Sequence, residues 1–309
     1  MTLPKMKIRA LLLPTLMVFA AQITRAQINF SGSYAENFNS ILNTDGSGTT
    51  MSGVGQIGLQ DSIPTLTAWR AARVAGTATG TFALFGDWGG SLTQSGTGRL
   101  YSYGLPASSE RALGAVASGT TVAGFGTWFV NTSSDIYYSV TISFDREIWR
   151  TQTSAINQSL VFSYGLASTG IGTGNFLSNN LMTANSSLNA TAPLFYQSLN
   201  GGTGGYTDPG TNAVTVTATI VGLGWSPGDS LFVRWNDVND TGNDAGIAID
   251  NLTMVAATPE PSTVLLGAMG IAAVALLRRK ARCVARHPDA AHALSRRSPI
   301  RPCRSVSLF

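Results

Sequence analysis

Apolar residues recur at every second position along much of residues 27–257. Between Ile136 and Phe144, one side carries Ile136, Tyr138, Val140, Ile142 and Phe144, and the other carries Ser139, Thr141 and Ser143. From Val214 to Ile220, Val214, Val216, Ala218 and Ile220 alternate with Thr215, Thr217 and Thr219. Leu160, Phe162 and Tyr164 repeat the pattern, as do Leu231, Val233 and Trp235. A period of two marks a half-buried strand, because successive side chains point to opposite faces of a sheet. Thr81–Phe85, Leu100–Tyr103, Phe125–Val130 and Ile247–Met254 are further predicted strands. Gly- and Asn-rich stretches separate them, most clearly the predicted loops Thr169–Asn180 and Leu199–Gly210. No helical stripe is sustained in this region, and no repeat of fixed period occurs. The fold predicted is all-β: an antiparallel β-sandwich of jelly-roll type.

Two apolar runs break the alternation. The first, Ala10 to Ala21, follows Lys5, Lys7 and Arg9 and precedes Thr24-Arg25-Ala26. A positive region, an apolar run and a small-x-small site make a signal peptide over residues 1–26, cut by signal peptidase after Ala26. The second run, Thr263 to Leu277, abuts Arg278, Arg279 and Lys280. Its 15 residues fall short of the ~20 of a comfortable bilayer span. The basic cluster acts as a stop-transfer signal that stays cytoplasmic, which predicts a single transmembrane helix with the preceding body outside.

Pro259-Glu260-Pro261-Ser262, a short Gly/Ala/Leu-rich span and an Arg/Lys cluster follow one another over residues 258–282. This order resembles the PEP-CTERM sorting signal of Gram-negative bacteria. The resemblance implies that an exosortase recognises Pro259-Glu260-Pro261, cleaves near it, and passes the body to the cell surface or extracellular matrix. Such signals end soon after their basic cluster, whereas here a basic tail, residues 283–309, continues without any period and reads as disordered. The chain therefore divides into a signal peptide (1–26), an ectodomain (27–257), a sorting segment (258–282) and the tail (283–309).

Charge follows the same division. The formal net charge of the chain is +4, yet residues 27–277 hold seven Arg against fifteen Asp and Glu, a net −8. An acidic body gives no nucleic acid a surface to bind. Both His and both Cys lie beyond residue 282, and the body has no Lys. Ser-His-Asp and Cys-His catalysis, His- or thiolate-ligated zinc and a Walker lysine are thereby excluded from the body.

Asp237, Asp240, Asp244 and Asp250 crowd into 14 residues, with Asn236 directly before them and Asn239 and Asn243 between the first three. Such oxygen ligands on a Gly-containing loop suit a hard cation such as Ca²⁺. The spacing is not an EF-hand, because the twelfth position from Asp237 is Ala248. The other open reading is a loop of Asx turns capped by its own side chains. Along Ile247–Met254, alternation puts Asp250 on one side with Ala248, Leu252 and Met254. An inward Asp250 needs a cation or donors, with Arg150 or Arg234 as candidates. The ending Gly-Ile-Ala-Ile-Asp-Asn-Leu is similar to the closing strand of MAM-like jelly-roll domains, which implies the sandwich rather than a ligand.

Trp149 follows the strongest predicted strand, and Trp235 sits within another. Either indole is a candidate platform for stacking an extracellular polysaccharide, although most tryptophans of such sandwiches are core. A glycosidase needs only two carboxylates flanking one bond, and Glu36, Glu110 and Glu147 add to the Asp set. The sequence thus supports three readings: a structural or adhesive surface protein, a carbohydrate-binding module, and a glycoside hydrolase using an Asp/Glu pair.

Overall fold

The structure, a computed structural model, describes residues 27–41, 51–53, 56–59, 66–79, 82–84, 87–88, 98–104, 108–152, 156–193, 213–258 and 270–278. Among them run β1 (Ile28–Phe30), β2 (Ser33–Glu36), β3 (Met51–Gly53), β4 (Ile57–Gly58), β5 (Arg70–Ala75) and β6 (Phe82–Leu84). Next come β7 (Asp87–Trp88), β8 (Arg99–Tyr103), β9 (Ala112–Val116), β10 (Val122–Asn131), β11 (Tyr137–Arg150) and β12 (Gln158–Leu166). The last are β13 (Thr183–Ala184), β14 (Ala190–Ala192), β15 (Val214–Trp225), β16 (Ser230–Asn236) and β17 (Gly246–Ala257). The predicted signal peptide, the loop Leu199–Gly210 and the tail lie outside the described residues.

Two large sheets form a sandwich. The first has the order β13-β12-β16-β10-β5-β4, with β1 also on β10 and β14 on β12. The second has the order β15-β11-β17-β9-β8-β7, with β2 also on β17. Sequence neighbours are often not sheet neighbours: β11 lies between β15 and β17, the long-range pairing of a jelly-roll-like sandwich. A small β3–β6 ribbon stands apart from both sheets.

The alternation explains the core. Phe125, Phe162 and Trp235 come from three neighbouring strands of the first sheet, with ring centroids 5.1–6.0 Å from Trp235. Phe144 of the second sheet meets Trp235 edge-on at 5.5 Å. Burying each such side chain contributes roughly 1.5–3 kcal/mol. Toward one end, Tyr137 packs between Phe30 (5.8 Å) and Trp225 (5.7 Å). Here the simple pattern fails, since Ile136 and Tyr138 are exposed and Tyr137 is buried. The β11–β15 register slips between Tyr137 and Ser139, beside Gly222 and Gly224 at positive φ. This irregularity in the pairing falls where Tyr137 faces inward and Tyr138 outward.

The segment predicted as a plain loop, Thr169–Asn180, covers the outer face of the first sheet. It forms short 3-10 turns and places Phe176 and Leu177 against Trp128 and Phe232. Arg234 and Asn236, which alternate with Trp235, hold it there. Arg234 donates to the carbonyls of Phe176 (2.7 Å) and Asn179 (3.1 Å), and Asn236 to that of Leu177 (3.0 Å).

The chain separates into two compact units, Met1–Ala257 and Thr258–Phe309. In the second, residues 270–278 are helical and exposed. No helix among the described residues is long and apolar enough to cross a membrane. Only part of the predicted span, Thr263–Leu277, is described, because residues 263–269 lie outside the described residues.

Candidate functional site: a buried carboxylate cluster

β11 is longer than its alternation suggests. Asp145 to Arg150 continue the strand beyond its predicted end at Phe144. Asp145, Glu147 and Trp149 share its outer side. On β17 the partner register jumps from Ser143↔Thr253 to Asp145↔Asp250. Asn251 and Leu252 together face the single residue Phe144, and Asn251 adopts φ +48°. This is a β-bulge, and Asn tolerates the left-handed conformation better than most residues.

The bulge corrects the predicted facing of Asp250. Leu252 and Met254 belong to the central core, whereas Ala248 packs with Trp149, Tyr101 and Tyr103 on the outer side. One extra residue changes the parity of the strand, so Asp250 stays with Ala248 and parts from Leu252 and Met254. It is nevertheless buried, 3% exposed. Neither guanidinium suggested for it is seen to serve it. Arg234 holds the carbonyls named above, and Arg150 donates to the carbonyl of Asp244.

Asp250 meets two glutamates instead. Glu110, Glu147 and Asp250 each offer a carboxylate oxygen, and the three oxygens lie within 4.8 Å of one another. Glu110 is exposed, while Glu147 and Asp250 are buried. Trp149 Nε1 donates to Glu147 Oε2 at 2.8 Å. Asp250 Oδ1 is buried without a hydrogen-bond partner. Burial pushes the Glu147 carboxyl up to about 7; Glu110 adds to the rise and the Trp149 bond opposes it. Burial likewise raises Asp250 to about 8, the Asn251 N–H opposes this, and Glu147 and Glu110 reinforce it. Like charges this close resist joint ionisation.

The other predicted aspartates sit in a separate loop. Asp237 Oδ1 accepts from Val238 N at 2.8 Å, and Asp237 Oδ2 is buried without a partner. Asp244 Oδ1 accepts from Asp240 N at 3.1 Å and Gln158 Nε2 at 3.3 Å. The Gln158 oxygen accepts from Ala245 N. Burial raises the Asp237 and Asp240 carboxyls and lifts Asp244 to about 7. Among the described residues, the group of three acids close enough to share an ion is Glu110, Glu147 and Asp250. Of the four predicted aspartates it contains Asp250 alone.

Trp149 and Trp235 do not offer ring faces to a glycan, because both are fully buried. Trp235 fills the space between the sheets, and Trp149 stacks on Tyr103 at 5.6 Å. Trp69, Trp128 and Trp225 are buried as well. The sorting residues Pro259, Glu260, Pro261 and Ser262 lie outside the described residues, as do Arg279 and Lys280, while Arg278 ends the described helix. The sequence missed Glu110 and Glu147 as partners of Asp250. Glu147 was within reach, two positions from Trp149 on one strand. Glu110 was not, because only the β17–β9 pairing brings it near.

No curated protein matches the chain significantly. Among solved structures, the enzymatically active domain of tailspike protein 4 from bacteriophage CBA120 is 10% identical, with a TM-score of 0.25, over 48% of this chain. The match spans only 16% of that tailspike chain. The xylan-binding module CBM15 is 11% identical over 67% of this chain and 100% of its own, with a TM-score of 0.30. The CBM22-1 xylan-binding domain of Paenibacillus barcinonensis Xyn10C is 11% identical over 53% and 83%, with a TM-score of 0.27. Xylan binding is a property of those two modules. Residues 257–280 match the PEP-CTERM protein-sorting motif, so the chain carries this motif directly after its closing strand.

Proposed function

We propose that the protein is a structural or adhesive component of the cell surface or extracellular matrix of a Gram-negative bacterium, delivered there by exosortase processing. The sorting motif at residues 257–280 carries this reading. That motif implies an exported protein, anchored transiently in the membrane and processed by an exosortase. The body supports a structural role over a dedicated sugar-binding one. The five tryptophans whose side chains are described are all buried. A shallow depression of about 280 Å³ is lined by Ala35, Glu36, Asn37, Asn251, Leu252 and Thr253. That is below the usual size of small-molecule sites, and no tryptophan lines it. A hydrolase reading gains nothing from the carboxylate cluster, since Glu147 and Asp250 are shielded from a polymer chain.

The test is fractionation of cells making the tagged protein, with Pro259-Glu260-Pro261 intact or replaced by alanines. The intact protein should reach the surface or matrix, and the variant should stay in the inner membrane. Identical distribution of the two would refute the sorting reading. Deleting the protein should then weaken cell–cell or cell–matrix cohesion, and unchanged cohesion would leave the structural role without support.

A further inference from the structure

The geometry points to Glu110, Glu147 and Asp250 as a divalent-cation site, with Ca²⁺ the fitting ion. Three observations support it together. First, three carboxylate oxygens from separate segments converge within 4.8 Å. Oxygens bound to one Ca²⁺ at 2.3–2.6 Å lie at most about 5 Å apart, so these three are close enough to close on one shared ion with small side-chain shifts. Second, Asp250 is 97% buried by its 3% exposure, and its Oδ1 has no hydrogen-bond partner. A buried acceptor without a donor is costly, and a cation satisfies it. Third, the donors are all oxygens, which suits a hard cation.

Each carboxylate is held by its own part of the fold. Asp250 is aimed by the Asn251 bulge, and Glu147 is fixed by the Trp149 indole. Glu110 stands just before β9 and remains exposed, so an ion can enter from its side. The loop of Asp237, Asp240 and Asp244 is a weaker candidate. Asp244 Oδ1 already accepts two N–H donors, and these three acids do not gather oxygens around one point. An extracellular module typically binds Ca²⁺ at roughly 10⁻⁴–10⁻³ M, which suits the exported location proposed above. The binding itself does not depend on that location.

The experiment uses the full chain and two probes. Thermal melting is followed in Ca²⁺ and in chelator. Tb³⁺ luminescence is excited through tryptophan, because the Trp149 indole touches the Glu147 ligand. Ca²⁺ should raise the melting temperature, and Tb³⁺ should luminesce and be displaced by Ca²⁺. Glu110→Gln, an exposed change that leaves the core intact, should weaken both effects by roughly tenfold or more, the scale on which metal sites respond to altered surroundings. Asp250→Asn should abolish them. Asp240→Asn, in the neighbouring loop, should leave both unchanged. Absence of any Ca²⁺ effect on the unaltered chain would overturn the proposal. So would loss of the effect in Asp240→Asn with retention in Glu110→Gln, which would place the ion in the loop.

Discussion

Along β11 and β17 the outer face of the second sheet changes character at the Asn251 bulge. On one side lie hydroxyls: Thr141 pairs with Thr219 of β15 at 2.8 Å, and Ser143 with Thr217 at 2.7 Å. On the other side lie Glu147, Trp149 and Asp250, all buried. Asp145 sits at the border, accepting from Thr215 at 2.6 Å and from Asn251 Nδ2 at 3.1 Å. The same two strands thus present an open face satisfied by neighbouring hydroxyls and a closed face of acids and aromatics. Polar atoms on the open face can exchange their partners for water at little cost. Polar atoms on the closed face cannot, so each needs a fixed donor, a proton or an ion.

The closed end should respond most strongly to substitution. Trp149 is fully buried, stacks on Tyr103 and supplies the Glu147 donor. Trp149→Ala should destabilise the protein by about 3–5 kcal/mol in chemical denaturation, from the cavity and the stranded carboxylate. Trp149→Phe weighs the two causes against each other, since it removes the donor while leaving a smaller cavity than alanine does. A loss below about 1 kcal/mol for Trp149→Ala would show that this end is not the packed region described.

The bulge that divides the two ends comes next. Valine at φ +48° is strained, so Asn251→Val should cost about 1–3 kcal/mol. Asn251→Gly should cost less than this, because glycine adopts that conformation freely and only the exposed bond to Asp145 is lost. Equal stability of the two variants in denaturant titration would mean the bulge is absent in solution.

These bulges also mark where the sequence stops being legible. All eight strands predicted from alternation are present, including those holding Trp235, Phe144 and Phe162. The sorting segment was readable because its signal is local. What alternation could not supply is a change of parity inside a strand. Tyr137 and Tyr138 exchanged faces at one bulge, and Asp250 parted from Leu252 and Met254 at the other. β9 was missed because it is buried on both faces and made of small and apolar residues, leaving no polar side to alternate, and β5 because its polar residues, Arg70 and Arg73, stand three apart and break the period of two. The grouping of Glu110 with Asp250 rests on pairing between distant segments, which residue spacing does not encode.

Proton linkage offers a third contrast between the ends. Glu147 and Asp250 titrate near 7 and 8 in the folded chain, against about 4 for unfolded carboxylates. The folded state therefore binds more protons than the unfolded state between those values. Stability should be full below about pH 4 as far as these groups are concerned, and should fall as pH rises toward 8. In chelator, the melting temperature should drop over that window, and Asp250→Asn should flatten the drop. A slope unchanged by Asp250→Asn would assign it to other raised acids, such as Asp237 and Asp244.

The open end should be the least sensitive. Thr219 is exposed, and its hydroxyl partner Thr141 lies on the same solvent-facing side. Water can replace that bond, and valine is at least as well suited to a strand as threonine. Thr219→Val should therefore shift stability by no more than about 0.5 kcal/mol in either direction, the usual scale for a surface change. The double change Thr141→Val with Thr219→Val removes both hydroxyls and leaves neither stranded, so it should behave the same way. The prediction sharpens the comparison because the pair is well formed, at 2.8 Å, as short as the Trp149–Glu147 bond at the closed end. If length set the energy, both sites would respond alike. If access to water sets it, the Trp149 variants lose stability and the threonine variants do not. A double variant destabilised by more than about 1.5 kcal/mol, beyond the range of a single net hydrogen bond, would show that the hydroxyl face is closed to water.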